Sequence, residues 1–263
     1  MLIEELLTRA MRRSLCCAAL LAVVVGSPAQ AEDVAVKTSN QDCTIFADSP
    51  LKDNEVVTWS GSCVDEHAAG KGRLEWLVDD KLAGDYDGEM MEGRLHGTGL
   101  LRFEVEKGKG FDRFVGTFAM GKPEGEARYD ANNGDFYVGG FQAGERHGMG
   151  YYRLVSGEEY HGEFENGQRH GLGFLIAENG DAYWGEFEKG ELEGAGILVN
   201  NDGSEYQGRF ANSLPDGPGT FVAANGDIYQ GRFKAGNADG KFLVTKSDGS
   251  QVLETWKDGE KVQ

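Results

Sequence analysis

The stretch YHGEFENGQRHGLGF, Tyr160 to Phe174, crowds histidines, acids and an arginine among glycines. Taken alone, His161, Glu163, Arg169 and His170 have the makings of a metal or acid/base site. The same spacing returns every 23 residues, however, in YVGGFQAGERHGMGYY from Tyr137, YWGEFEKGELEGAGIL from Tyr183, YQGRFANSLPDGPGTF from Tyr206 and YQGRFKAGNADGKFLV from Tyr229. Upstream, FVGTFAMGKPEGEARY starts at Phe114 and YDGEMMEGRLHGTGLL at Tyr86, with worn copies at WSGSCVDEHAAGKGRL from Trp59 and VLETWKDG from Val252. A fixed period is the mark of a repeat architecture and takes precedence over any local motif.

The spacing within one period predicts a β-hairpin. Tyr160, Gly162 and Phe164 alternate with His161, Glu163 and Glu165, a period-2 pattern with one aromatic face. Gly171, Gly173 and Leu175 share a face in the following strand, and Gly167 to Gly171 is expected to turn the chain, leaving Arg169 and His170 at a solvated tip. A second set of turns, Asn133-Gly134, Ser156-Gly157, Asn179-Gly180, Asp202-Gly203, Asn225-Gly226 and Asp248-Gly249, joins successive hairpins. Glycine inside a strand marks a close approach. At Gly162 and its equivalents the expected occupant is an aromatic ring from the adjoining unit. The phenylalanines at 118, 141, 164, 187, 210 and 233 and the tyrosines at 137, 160, 183, 206 and 229 are then expected to form a stacked ladder. The fold class predicted is all-β, an elongated antiparallel sheet or solenoid of tandem 23-residue hairpins.

The pattern Y-x-G-x-F-x-x-G-x-x-x-G-x-G, as in Tyr160 to Gly173, resembles the MORN (membrane occupation and recognition nexus) repeat, and the resemblance covers Trp59 to about Gly259. Departures are Met90 and Cys63 at the second aromatic position, Ser213 at the turn glycine, Ala127 and Phe242 at the last glycine, and Glu254 at the first. The resemblance implies a non-catalytic array serving as scaffold or binding surface. MORN arrays also occur beside the catalytic domain of phosphatidylinositol phosphate kinases, for which no room remains in this chain.

Composition bounds the function. The chain has 263 residues, 40 glycines and a formal charge of -18, which disfavours nucleic acid and anionic membranes because both demand clustered Lys and Arg. Residues 1–31 read as an export signal: Arg12 and Arg13, the apolar run Leu15 to Val25, then Ala29-Gln30-Ala31 before the cleavage point. A start at Met11 suits such a signal better than one at Met1. The expectation is a periplasmic or secreted protein with an N-terminal segment over 32–58, the array over 59–259 and a short tail over 260–263. Cys43 and Cys63, the cysteines left after cleavage, are expected to form a disulfide.

Local chemistry fits less well. Gly116-x-x-x-x-Gly121-Lys122 opens like a phosphate-binding loop, but Pro123 stands where that motif needs a hydroxyl. His96, His147 and His170 share a repeat position that elsewhere holds Glu124, Glu193, Asp216 or Asp239, and the Asn-Gly-Asp turns offer few of the oxygens calcium takes. No catalytic residue, cofactor or metal is assigned. Opposite the ladder, Tyr151, Leu172, Phe174, Ile176, Trp184 and Ile197 are expected to form an apolar patch, with Met149 and Val199 beside it. Glu163, Glu165, Glu186 and Glu188 border it, and the next units switch to Arg209, Arg232 and Lys234. An apolar area rimmed by charge suits a partner site. The function expected is a non-enzymatic scaffold or adaptor that presents this face to a protein partner not yet identified, self-association being one form of that pairing. The alternative is an envelope-associated module that binds lipid headgroups or cell-wall glycan.

Overall fold

The computed structural model describes residues 34–47, 50–104 and 110–262. The export-signal reading of 1–31 lies outside them. The described residues are all-β, with 22 strands and no helix. They form two compact units that divide between Gly148 and Met149, with the strand Glu145–Arg153 running through the division.

In the first unit the hairpin Val34–Lys37/Thr44–Ala47 touches the long strand His67–Val78 through one parallel pairing, Thr44 opposite His67. Cys43 and Cys63 are disulfide-bonded, with Cα atoms 5.8 Å apart. Trp59 is fully buried and donates its indole N–H to the carbonyl of Ser62 at 3.0 Å. Antiparallel hairpins follow over Lys81–Met91/Arg94–Glu104 and Phe111–Ala119/Lys122–Asp130. In the second unit the strands Glu159–Glu165, Gln168–Ile176, Ala182–Glu188, Glu191–Val199, Glu205–Ala211, Leu214–Val222 and Ile228–Lys234 pair each with the next, all antiparallel.

The turns differ from the sequence expectation. The chain reverses within a repeat at Asn166-Gly167, where both residues have positive φ (50° and 77°), and Gln168 to Ile176 is already strand. This two-residue turn with both φ positive matches the right-handed twist of the strands it joins. Between repeats, the Ala177 carbonyl accepts from Gly180 N–H and Ala177 N–H donates to the Asp181 carbonyl, both at 2.8 Å, and Gly180 sits at φ 87°. Asn179 uses its side chain instead, its Oδ1 accepting from Asp181 N–H at 3.1 Å.

The ladder is present, but its rings meet edge to face rather than stacked. From Tyr160 to Phe233, Tyr and Phe alternate with centroids 5.0 to 5.2 Å apart and planes at 82° to 89°. The ring quadrupole favours this arrangement, worth about 0.5–1.5 kcal/mol per pair beyond area burial. The occupant of the glycine slot is also corrected: it comes from the same repeat. A Cβ on Gly173 would come within 2.5 Å of the Tyr160 ring. That ring folds across its own hairpin so that its hydroxyl donates to the Glu163 carbonyl at 2.9 Å, where the pairing register breaks between Gly162 and Glu163. Tyr86, Tyr137, Tyr183 and Tyr206 make the same bond three residues ahead, as Trp59 does with its indole.

The last repeat departs from the rule. Phe242 stands where the other repeats have their last glycine or, in one, Ala127, and its ring fills the slot over Gly231 and meets Phe233 at 5.2 Å. With the slot taken, Tyr229 leaves the ladder and lies against Phe221 and Trp256.

Candidate interaction face

Arg169 is the largest correction to the sequence reading. Its repeat position faces the core, where Leu95, Pro123 and Leu192 are buried, and Arg169 itself is 3% exposed. Its guanidinium lies 5.8 Å from the Tyr160 ring centroid and 5.6 Å from that of Phe187. Nη1 donates to the Tyr152 hydroxyl at 3.3 Å and lies 3.5 Å from Glu158 Oε1, and Nη2 donates to the Gly190 carbonyl at 3.1 Å. Tyr152 in turn donates to Glu158. Nε is buried with no hydrogen-bond partner among the described residues. Reading each position down the column of repeats reveals this burial, since Leu and Pro recur there.

The acids at the neighbouring position are braces between repeats rather than solvated tips. Glu124, Glu193 and Asp216 each accept from a backbone N–H in the next turn, those of Ala143, Asn212 and Ala235, at 3.0 to 3.1 Å. His170, at the same position, lies 3.6 Å from Glu165. His96 Nδ1 is buried without a partner among the described residues. No group of three or more His, Cys, Asp or Glu in metal-holding geometry occurs among the described residues. Gly121 and Lys122 belong to the turn and strand of a hairpin, Met120 and Gly121 both having positive φ.

The outward face of the second unit brings the six apolar candidates onto one surface. Register places Phe174 opposite Trp184, and Trp184 opposite Ile197, on three adjacent strands. His161 lies opposite Phe174 on the other side, and its ring meets that of Tyr151 edge-on at 6.3 Å. Tyr151 donates its hydroxyl to Glu159 at 2.9 Å, and burial pushes its pKa upward. Ile176 faces Ala182 one row away, and Ala182 faces Val199. Leu172 faces Glu186. Trp184 is 60% exposed, Leu172 57% and Phe174 42%. Two of the rim acids have a structural task as well: Glu163 accepts from Leu172 N–H at 3.4 Å and Glu186 from Ala195 N–H at 3.1 Å, while both side chains stay exposed.

A separate apolar cavity of about 160 Å³ is lined by Phe221, Tyr229, Phe233, Ala238, Phe242 and Trp256. Ala238 holds the position filled by Arg169, Leu192 and Pro215 in earlier repeats, and its short side chain leaves the hollow.

Hairpins repeated at fixed register, with the recurring aromatics buried and the variable positions outward, define a β-hairpin repeat protein. The family model for the MORN repeat matches residues 86–104, 114–136, 137–159, 160–182, 183–205 and 206–228, just over half of the sequence, and the chain belongs to the MORN-repeat family. No match is found among curated proteins. Among solved structures it is similar to the TCP domain of Drosophila melanogaster SAS-4 (dCPAP), solved in complex with a proline-rich motif of Ana2 (dSTIL), at 12% identity over 60% of this chain and 84% of that one, with a TM-score of 0.36. It is also similar to the TCP10 domain of Danio rerio CPAP, solved with a peptide of Danio rerio STIL, at 10% identity over 85% of this chain and 99% of that one, with a TM-score of 0.29.

Proposed function

We propose that this protein is an exported, non-enzymatic scaffold whose second unit presents its outward sheet face to a protein partner. The observation that carries the reading is the row Phe174, Trp184 and Ile197, set side by side on adjacent strands with the indole more than half exposed. A contiguous apolar row bordered by charge has the anatomy of a docking surface, with aromatic anchors at its centre. Export rests on residues 1–31 and places the protein in the periplasm or outside the cell.

The test is crosslinking in the native compartment, wild type against Trp184→Ala and Phe174→Ser. Both side chains face solvent, so thermal unfolding should be unchanged while crosslinks to a defined protein disappear. An unchanged crosslink pattern overturns the face. Co-sedimentation of the purified chain with liposomes or peptidoglycan that depends on the same residues favours the envelope-binding alternative.

A further inference from the structure

The charges around the aromatic row are ordered in a way that a scaffold face in general does not require. One strand position, the residue after the strand glycine, carries Glu163, Glu186, Arg209 and Arg232 in four consecutive repeats, all exposed or half-exposed. Two residues further on stand Glu165 and Glu188, then Ala211 and Lys234. The sign inverts between the second and third repeats, at one position and in one register.

Seven successive strands carry these residues, and Glu191–Val199 is the middle one. Glu186 and Arg209 lie on its two immediate neighbours, with Glu163 and Arg232 on the outermost two. A two-fold axis along that middle strand therefore carries each acid onto the base of a second copy. We propose, resting on the interaction face above, that the partner of this face is a second copy of the same chain. The two copies pack face to face, with Glu186 against Arg209, Glu163 against Arg232 and Glu165 against Lys234, each pair formed twice. The same axis brings Ile197 against its own counterpart, Phe174 against Thr220 and Trp184 against Gln207. A self-complementary patch of this kind is what a two-fold interface demands.

Exposed ion pairs contribute little one at a time but fix register and exclude wrong partners. Affinity comes from the apolar row. Seven strands about 4.8 Å apart and about 20 Å of strand length give roughly 600 Å² per copy, below the ~800 Å² of a standard interface and consistent with moderate affinity. Sheet twist turns the outer strands away from the axis, so Glu186 and Arg209 bear the most weight. Glu191 and Glu193 of the two copies meet across the axis as like charges and weaken the contact at that end.

Sedimentation velocity of the purified full chain over a concentration series tests the proposal. A dimer is expected whose dissociation constant rises with salt and rises at least about tenfold in Glu186→Arg and in Arg209→Glu, since each swap sets like charges opposite each other. An equimolar mixture of the two variants restores pairing. In the mixed dimer the introduced arginine meets the introduced glutamate on one side of the axis, and the native Arg209 of one chain meets the native Glu186 of the other on the opposite side. This recovery also rules out misfolding as the cause of the loss. Glu191→Gln tightens the dimer. A chain that stays monomeric, a dimer indifferent to both swaps, or a mixture that fails to recover overturns the proposal. A monomer whose crosslinks to another protein still require Trp184 overturns self-pairing alone and leaves the interaction face standing, whereas a monomer with Trp184-independent crosslinks overturns both.

Discussion

At the scale of single residues, the repeat tyrosine does two jobs, filling a glycine slot with its ring and satisfying a carbonyl with its hydroxyl. Tyr160→Phe keeps the first and loses the second, leaving the Glu163 carbonyl without its donor, and should cost about 1–3 kcal/mol in denaturant unfolding of the second unit. Phe114, which fills this position in its own repeat, marks the change as tolerable. Arg169 makes a sharper case. Arg169→Leu alone strands Glu158 and should destabilise by about 1–3 kcal/mol, because a half-buried carboxylate loses its charged neighbour. Adding Glu158→Ser, the residue found at the same position as Ser204 and Ser250, should recover that loss or exceed it, since Leu192 shows the column accepts leucine. A double-mutant cycle in which the two losses simply add contradicts the pairing. The burial of Arg169 was obscured in the sequence because two glycines flank the segment Gly167 to Gly171 and suggest a five-residue turn. The real turn takes only Asn166 and Gly167, and the second glycine sits inside the strand at φ 58°.

At the scale of the hairpin, packing is set by what glycine leaves room for. Gly173→Ala puts a methyl into the ring and hydroxyl of Tyr160, and should cost several kcal/mol, seen as loss of the cooperative unfolding transition. The last hairpin offers the opposite experiment. Ala238→Leu fills the hollow beneath Phe233 and Trp256 and should stabilise the second unit by about 0.5–2 kcal/mol in thermal or denaturant unfolding. A destabilised variant would show that the cavity is too small for the added methyl groups. Hairpin identity was legible from period-2 alternation at one 23-residue spacing. Ring geometry was not, because the same sequence spacing serves a stack or an edge-to-face zigzag and only ring electrostatics selects between them.

At the scale of the whole molecule, the ladder gives stability an alkaline limit. Burial pushes the Tyr86 and Tyr137 hydroxyls up to about 12 and raises those of Tyr160, Tyr183 and Tyr206 as well. The unfolded chain releases these protons near pH 10, while the folded chain holds them. The folded state then binds more protons, so stability is full below about pH 10 and falls as pH rises through the folded values. Denaturation midpoints measured across that window should drop together with the appearance of phenolate absorbance. A midpoint flat to the onset of general alkaline unfolding would contradict tyrosine burial as the cause.

By itself the sequence determined the repeat, its hairpin form, the family and the alternation that puts Phe174 and Trp184 on the outer face, because all of these follow from spacing along one strand or from matched copies; the disulfide pair was legible from the count of cysteines alone. The tertiary structure alone decided which ring fills which glycine slot, that Arg169 enters the core with Glu158 and Tyr152, that the turn acids brace the next repeat, and that Phe242 displaces Tyr229. Each of these depends on where bulges shift the register between strands, and a register is a relation between two segments that neither one encodes alone.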